Sequence, residues 1–320
     1  MTPTVTVSVL TFNGERYLDA LLTAVEDQDF EGQVEILVVD SGSTDRTLEI
    51  VAAHPTARLQ RIPNEQFGHG RTRNLVAELA TGEIVAYLTH DAVPAHSRWL
   101  HELVLPFVDD ERIAAVVGKQ LPRASAPPVM KYDIQRVFES LGPDYGITVV
   151  ADWGHLADDG ARAAAAFYSD ANSAARRSVL RGAVPYPDVE YAEDQLFARD
   201  VLAAGLRKAY APRAAVRHSN DVTLRTLGAR IEADMLGLRS IGTVVPPVSL
   251  PAAWAQWLKW STMDGIAILV DRDYGAGAKL RWLLVNPWYH AVKWSAYRRA
   301  TRRPIPTDAP AVGGPRGALG

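Results

Sequence analysis

The chain has no cysteine in its 320 residues, which removes disulfides, thiolate nucleophiles and sulfur-ligated zinc from consideration. It has no run approaching the ~20 apolar residues of a membrane-spanning helix; the nearest, Gly265 to Val270, is far too short. Met1-Thr2-Pro3-Thr4 leads straight into a strand-like segment without a basic, apolar leader, so a cytosolic location is expected. Charge of one sign is scarce as well: a net charge of −3 points away from a nucleic-acid partner. A dinucleotide fingerprint is missing, because Thr11-Phe12-Asn13-Gly14-Glu15-Arg16 does not supply G-x-G-x-x-G and Gly68-His69-Gly70-Arg71-Thr72-Arg73 fails at the third glycine. There is no Walker A sequence either, so any bound phosphate is held by other means.

What is present is an ordinary globular composition, 48% hydrophobic and 22% charged, with length enough for a sizeable core. The first 118 residues alternate short apolar runs with amphipathic stretches, the pattern of a parallel sheet covered on both faces. Strands are expected at 5–11, 33–39, 58–62, 84–89 and 113–118, with helices at 15–28, 45–53, 71–80 and 97–107. Prolines and glycines then break up residues 120–150 around one helix at 131–141. Beyond, a strand at 165–168 and helices at 173–180, 194–205 and 223–241 are expected, and Pro246, Pro247 and Pro251 mark a boundary. The expected division is a nucleotide-binding half at 1–118, an acceptor-binding half at 119–245, a helical extension at 246–303 and a disordered tail at 304–320.

The extension is distinctive. It holds six of the eight tryptophans, and residues 250–320 carry ten Lys+Arg against four Asp+Glu, leaving −9 for the remainder. Interleaved aromatic and cationic side chains suit an interface: peripheral contact with an anionic membrane at the inner face of the cell membrane, a partner subunit in a homo-oligomer, or packing on the core.

Three apolar strands end in polar groups: Val5 to Thr11, Val34 to Asp40, and Ile84 to Thr89 followed by His90-Asp91. Strand ends of this kind describe one ligand crevice in an open α/β sheet. A carboxylate at such an end suits a divalent cation bridging protein to diphosphate, although an aspartate after a strand equally forms a turn or caps a helix. Asp40 carries the same two readings, and in the functional one it accepts the imide N–H of a pyrimidine.

Val38-Val39-Asp40-Ser41-Gly42-Ser43-Thr44-Asp45, Arg73-Asn74, Thr89-His90-Asp91-Ala92 and Glu193-Asp194, in that order and spacing, resemble a family 2 glycosyltransferase. The segments 67–74 and 89–92 further resemble its bacterial rhamnosyltransferase-like branch. The resemblance covers about residues 4–240 and implies a GT-A (Rossmann-like) open mixed sheet covered by helices, here with a C-terminal helical extension. It implies a metal-dependent inverting enzyme in which Thr11, Asp40, Arg73 and Asp91 bind a nucleotide-sugar donor and Asp194 is the catalytic base. Thr89 stands at the first position of the D-x-D motif, so Asp91 is its sole carboxylate, and His218 in Val216-Arg217-His218-Ser219 is the implied second ligand to Mg2+ or Mn2+. Asp170, Asn172 and Glu193 correspond to the acceptor side, and Trp153, beside Gly154, could stack on a sugar face or fill core. The implied donor is dTDP-L-rhamnose, with UDP-hexoses open, and the implied acceptor a saccharide or polyprenyl-linked glycan. Two rivals are a nucleotidyltransferase, for which Phe12-Asn13-Gly14-Glu15 lacks a basic glycine-rich loop, and a non-catalytic nucleotide-sugar-binding scaffold.

Overall fold

The structure is a computed structural model that describes residues 2–151, 153–156, 158–219 and 222–304. The chain runs β1 (Val5–Thr11), α1 (Leu18–Glu26), β2 (Val34–Asp40), α2 (Thr47–Ala53), β3 (Ala57–Arg61), α3 (His69–Leu79), β4 (Ile84–Thr89), β5 (Val93–Pro94), α4 (Trp99–Asp109), β6 (Ile113–Leu121) and α5 (Pro128–Leu141). It continues through β7 (Thr148–Val150), α6 (Asp159–Ala166), β8 (Asn172–Arg176), α7 (Arg177–Leu180), α8 (Glu193–Ala203), β9 (Arg207–Arg217), α9 (Leu224–Ser240), α10 (Leu250–Val270) and α11 (Ala276–Arg302).

Two compact units emerge, 1–121 with 137–218, and 122–136 with 219–320. This grouping differs from the division drawn from sequence: residues 122–136 and 219–245 go with the C-terminal helices. The tail expected at 304–320 lies, from residue 305 on, outside the described residues.

In the first unit, the described strands form one sheet in the order β3-β2-β1-β4-β8-β6-β9-β5, with β7 paired to β9. β3, β2, β1 and β4 are mutually parallel, as the alternating pattern predicts. β1 is buried at every position because both sheet faces are covered, which is why its sequence reads as a run rather than an alternation. Leu18, Leu21, Leu22 and Val25 of α1 and Trp99, Leu100 and Leu103 of α4 pack into the same core as Val7, Val9 and Leu88.

Beyond β4 the sheet turns mixed. β8 inserts antiparallel between β4 and β6, and β6 pairs parallel with β9. The helix expected at 173–180 is thus a strand followed by the single turn α7, and the strand expected at 165–168 is the end of α6 and the loop after it. Ala-rich Asn172–Arg176 has helix propensity, but β4 and β6 each present an unpaired edge to it, and pairing overrides propensity. The long strand β9 has no counterpart among the expected elements.

The second unit is helical. Thr223 opens α9 with a capping box to Thr226, and Ser249 caps α10 by accepting from the Ala252 N–H. Its core gathers Val129, Tyr132, Leu227, Ile268, Tyr274, Trp282 and Tyr289.

Candidate active site

Parallel pairing of β1 with β2 and β4 brings Thr11 beside Asp40 and sets both near the end of β4. Asp40 is fully buried, and its carboxylate accepts from the Gly42 N–H (3.1 Å), the Ser43 N–H (3.2 Å) and the Ser43 hydroxyl. The turn reading of Asp40 is therefore realised. The same turn fixes the loop after β1, since Asn13 Oδ1 accepts from the Thr44 N–H at 2.9 Å and Asn13 sits at φ 50°. Among the described residues the buried hydroxyl of Thr11 has no hydrogen-bond partner, the condition of an atom that a ligand can satisfy.

Asp91 follows β4. Thr89, at the position where D-x-D has its first aspartate, donates to Asp91 Oδ1 at 2.8 Å, and His218 Nε2 lies 3.4 Å from Oδ2. Burial pushes the Asp91 carboxyl up, but the hydrogen bond and charge of His218 and the Thr89 hydroxyl outweigh it and hold Asp91 well below the usual carboxylate range. His218 Nδ1 is 2.8 Å from Gln120 Oε1. Gln120 Nε2 donates to Ser169 Oγ at 2.8 Å, so its Oε1 can only accept and Nδ1 carries the hydrogen. Nε2 then faces the carboxylate, as an N–H donor to it here and as a lone pair only where a cation would displace that proton, in an imidazole oriented from behind as metal ligands usually are. At 3.4 Å the two atoms form an ion pair a few tenths of an ångström wider than the roughly 3.0 Å that adjacent ligands of an octahedral cation at about 2.1 Å would span. The pair fits Mg2+ or Mn2+ as two ligands of a shell completed by diphosphate oxygens and water. Among the described residues no group of three or more His, Cys, Asp or Glu side chains gathers to hold a metal alone.

From Ser169 the chain passes to Asp170 and a charged cluster. Arg73 on α3 forms ion pairs with Asp170 Oδ2 (2.8 Å) and Glu193 Oε1 (2.6 Å), and its guanidinium lies 5.6 Å from the centre of the Tyr186 ring. Asp170 Oδ1 accepts from Ser173 Oγ (2.6 Å) and the Tyr186 hydroxyl (2.8 Å). The guanidinium was expected at the diphosphate. Instead the structure turns it inward, where it holds two carboxylates in place.

Asn172 is a second correction. Its amide accepts from Trp99 Nε1 (2.9 Å) and donates to the carbonyls of Lys119 (2.9 Å) and Ala214 (2.7 Å), so it clamps the sheet instead of meeting an acceptor. Asp170 and Glu193 are likewise buried and engaged internally. Trp153 is half-buried on a single 3-10 turn, Trp153–His155, that packs against α8.

Asp194 sits half-buried in the first turn of α8 and accepts its neighbour Gln195's N–H at 2.8 Å. Burial, and then the charges of Asp170 and Glu193, raise its carboxyl well above the ordinary range, only partly opposed by Arg73. The turn is aimed by Ala192, which adopts a left-handed conformation at φ 56°. The approach to it is fixed too: Asn74 exchanges two hydrogen bonds with the Tyr186 backbone, and a Cβ on Gly70 would lie 2.1 Å from the Pro187 carbonyl oxygen.

Side-chain contacts thus run from Asp91 through His218 and Gln120 to Ser169; the next residue in the chain, Asp170, joins Arg73 and Glu193, and Asp194 follows Glu193 in sequence. Sequence reasoning missed Gln120, Ser169 and Tyr186. The one available signal was Gln120 itself, a neutral polar residue ending the apolar strand that starts at Ile113.

The fold is that of the GT-A glycosyltransferases. The chain matches the pattern of glycosyl transferase family 2 over residues 6–181 and belongs to that family. It is 31% identical over 223 residues to the O-antigen chain rhamnosyltransferase RfbN of Salmonella typhimurium, covering 69% of this chain and 68% of that one. It is also 31% identical to the O-antigen chain rhamnosyltransferase WbaN of Salmonella anatum, over 60% of this chain and 58% of the relative. Among solved structures, a mannosyltransferase from Pyrobaculum calidifontis in complex with GDP-Man and Mn2+ superposes with a TM-score of 0.59 at 22% identity, covering 94% of this chain and 86% of that one. Glucosyl-3-phosphoglycerate synthase from Mycobacterium tuberculosis, in complex with Mn2+ and UDP-glucose, gives a TM-score of 0.51 at 22% identity over 78% and 83% of the two chains. These two likenesses show the fold.

Proposed function

We propose that this glycosyltransferase moves L-rhamnose from dTDP-L-rhamnose to a hydroxyl of a saccharide, free or carried on a polyprenyl lipid, with inversion, in the synthesis of a bacterial cell-surface polysaccharide. The observation that carries the reading is the run of contacts from the Asp91–His218 pair through Gln120 to Ser169, whose chain neighbour Asp170 pairs through Arg73 with Glu193, the residue before Asp194. It links a pair suited to a diphosphate-bound cation with a carboxyl whose raised proton affinity suits a general base. Rhamnose is supported by the two Salmonella relatives, named as rhamnosyltransferases. A UDP-hexose is the alternative donor, supported by the UDP-glucose complex of the mycobacterial structure.

In this mechanism Asp194 takes the proton of the acceptor hydroxyl. The freed oxygen attacks the anomeric carbon from the face opposite the diphosphate, the bond from that carbon to the phosphate oxygen breaks, and its electron pair leaves with the nucleoside diphosphate. Asp91 and His218 would hold Mg2+ or Mn2+, which when bound neutralises charge on the leaving group. Thr11 offers its free hydroxyl to the donor, and Asp40 has lone-pair capacity beyond its turn to accept the imide N–H of the base. Arg73 pairs with Asp170 and Glu193 and holds both in place near Asp194.

The test is a thermal-shift titration with dTDP, UDP, GDP and CDP, each with Mn2+ and with EDTA, joined to Asp194→Asn. The largest shift is expected with dTDP and Mn2+. The asparagine variant is expected to keep that shift while turnover of donor with acceptor falls at least ~10²-fold. Preference for UDP would remove rhamnose from the reading; no shift with any nucleotide would remove the donor site; and unchanged turnover in the variant would favour the scaffold.

A further inference from the structure

Helix α10 is inside out. Of its twelve exposed residues only Lys259 and Thr262 are polar; the others include Trp254, Leu258, Met263, Ile266, Leu269 and Val270. Its buried side instead holds Asp264, fully enclosed, 2.7 Å from His290 and 3.1 Å from Arg136. At 100° per residue the exposed apolar positions from Leu250 to Met263 sweep about 220° of the helix circumference. Along α11 a second exposed stripe, Leu280, Leu284 and Trp288, recurs every four residues. Between the two helices lies a groove of about 540 Å³ lined by Trp254, Trp257, Trp288, Trp294 and Arg298.

So much contiguous apolar surface has an external partner. The breadth of the face and the charge around it identify which. A mating helix covers a stripe of roughly 100°, less than half of what α10 exposes, whereas an amphipathic helix lying in a bilayer interface immerses a whole side. Between residues 250 and 303 the exposed charges are Lys259, Arg272, Arg281, Arg299, Arg302 and Arg303 against one acid, Asp273, which Lys131 already neutralises at 2.6 Å. Arg299 and Arg303 pair with Glu232, and the other four cations remain to complement an anionic surface. Tryptophan beside apolar residues and snorkelling Lys and Arg is the composition of an interfacial anchor. Neither helix is long and apolar enough to cross a membrane.

We infer that the α10–α11 hairpin docks the protein on an anionic lipid bilayer, lying in the interface plane with the outer side of α10 and the Leu280–Leu284–Trp288 stripe immersed in the acyl boundary. This inference is independent of which sugar the enzyme transfers.

The experiment is sedimentation of the full chain with vesicles of phosphatidylcholine and phosphatidylglycerol (3:1) and of phosphatidylcholine alone, without nucleotide, with tryptophan fluorescence followed in acyl-brominated lipid. Binding to the anionic vesicles with quenching is expected. The double variant Leu258→Glu/Ile266→Glu, confirmed as folded by circular dichroism and an unchanged melting temperature, should lose at least tenfold in partitioning. Lys259→Gln/Arg281→Gln should weaken binding to the anionic vesicles selectively. Absence of sedimentation with anionic vesicles would overturn the inference. So would a dimer in light scattering that the double glutamate variant converts to monomer without vesicle binding, which would make the face a contact between copies.

Discussion

The two units of this protein place their charges in opposite ways. In the α/β unit an apolar core carries the strands, and ionisable groups converge at the strand ends, where Asp91, His218, Asp170, Arg73, Glu193 and Asp194 are linked. In the helical unit the buried interior holds Asp264, His290, Lys131 and Lys293 beside its apolar core, while Trp254, Leu258, Leu280, Leu284 and Trp288 face outward. The first arrangement tunes one carboxyl, that of Asp194, with its neighbours. The second uses buried ion pairs to hold helices whose apolar sides are turned away from their own core. Buried charge therefore has two meanings here, and exposure of the adjoining apolar surface tells them apart.

The sharpest way to break the comparison is Asp264→Ala. It leaves His290 buried without its carboxylate and should destabilise the helical unit by about 3–5 kcal/mol, read from the urea midpoint by tryptophan fluorescence. Leu258→Ser on the outer side of α10 should stay within about 0.5 kcal/mol. Equal losses at the two positions would mean that the outer face is packed after all.

A smaller effect is expected in the α/β unit. Asp194 must be ionised to accept a proton, so kcat/KM should rise with pH through its raised pKa. Glu193→Gln removes a negative neighbour while keeping a partner for Arg73, and should move that acid limb to lower pH by up to about one unit. Arg73→Gln removes the opposing positive charge and should move it to higher pH. A limb that stays in place in both variants would detach the cluster from the base.

The smallest change concerns Ala192. Relief of its left-handed backbone by Ala192→Gly should raise stability by less than about 1 kcal/mol, and turnover should fall modestly as the turn that aims Asp194 loosens. Matched melting and turnover measurements check both signs.

Much of this was legible in the chain. β1, β2 and β4 were readable because burial on both faces writes itself as a continuous apolar run, and Thr11, Asp40 and Asp91 followed as the polar residues at their ends. The centre of the site was not legible in the same way. Arg73 and Glu193 are 120 positions apart, and nothing local distinguishes an arginine bound for a phosphate from one bound for two carboxylates. β8 was misread because its Ala-rich sequence states a helical preference that only neighbouring strands overrule. The role of Asn172 depends on Trp99, Lys119 and Ala214, which no spacing along the chain announces.

That same strand bears on how the molecule is made. β8 closes the middle of the sheet, yet Asn172 is synthesised 51 residues after Leu121, the end of β6. At 5–20 residues per second, β6 waits roughly 3–10 s, and the earlier β4 longer, with their central edges unpaired. Open strand edges invite pairing with other chains, so this interval is when a nascent chain is most exposed to misassembly. A fragment ending before Arg176 would keep that vulnerability permanently.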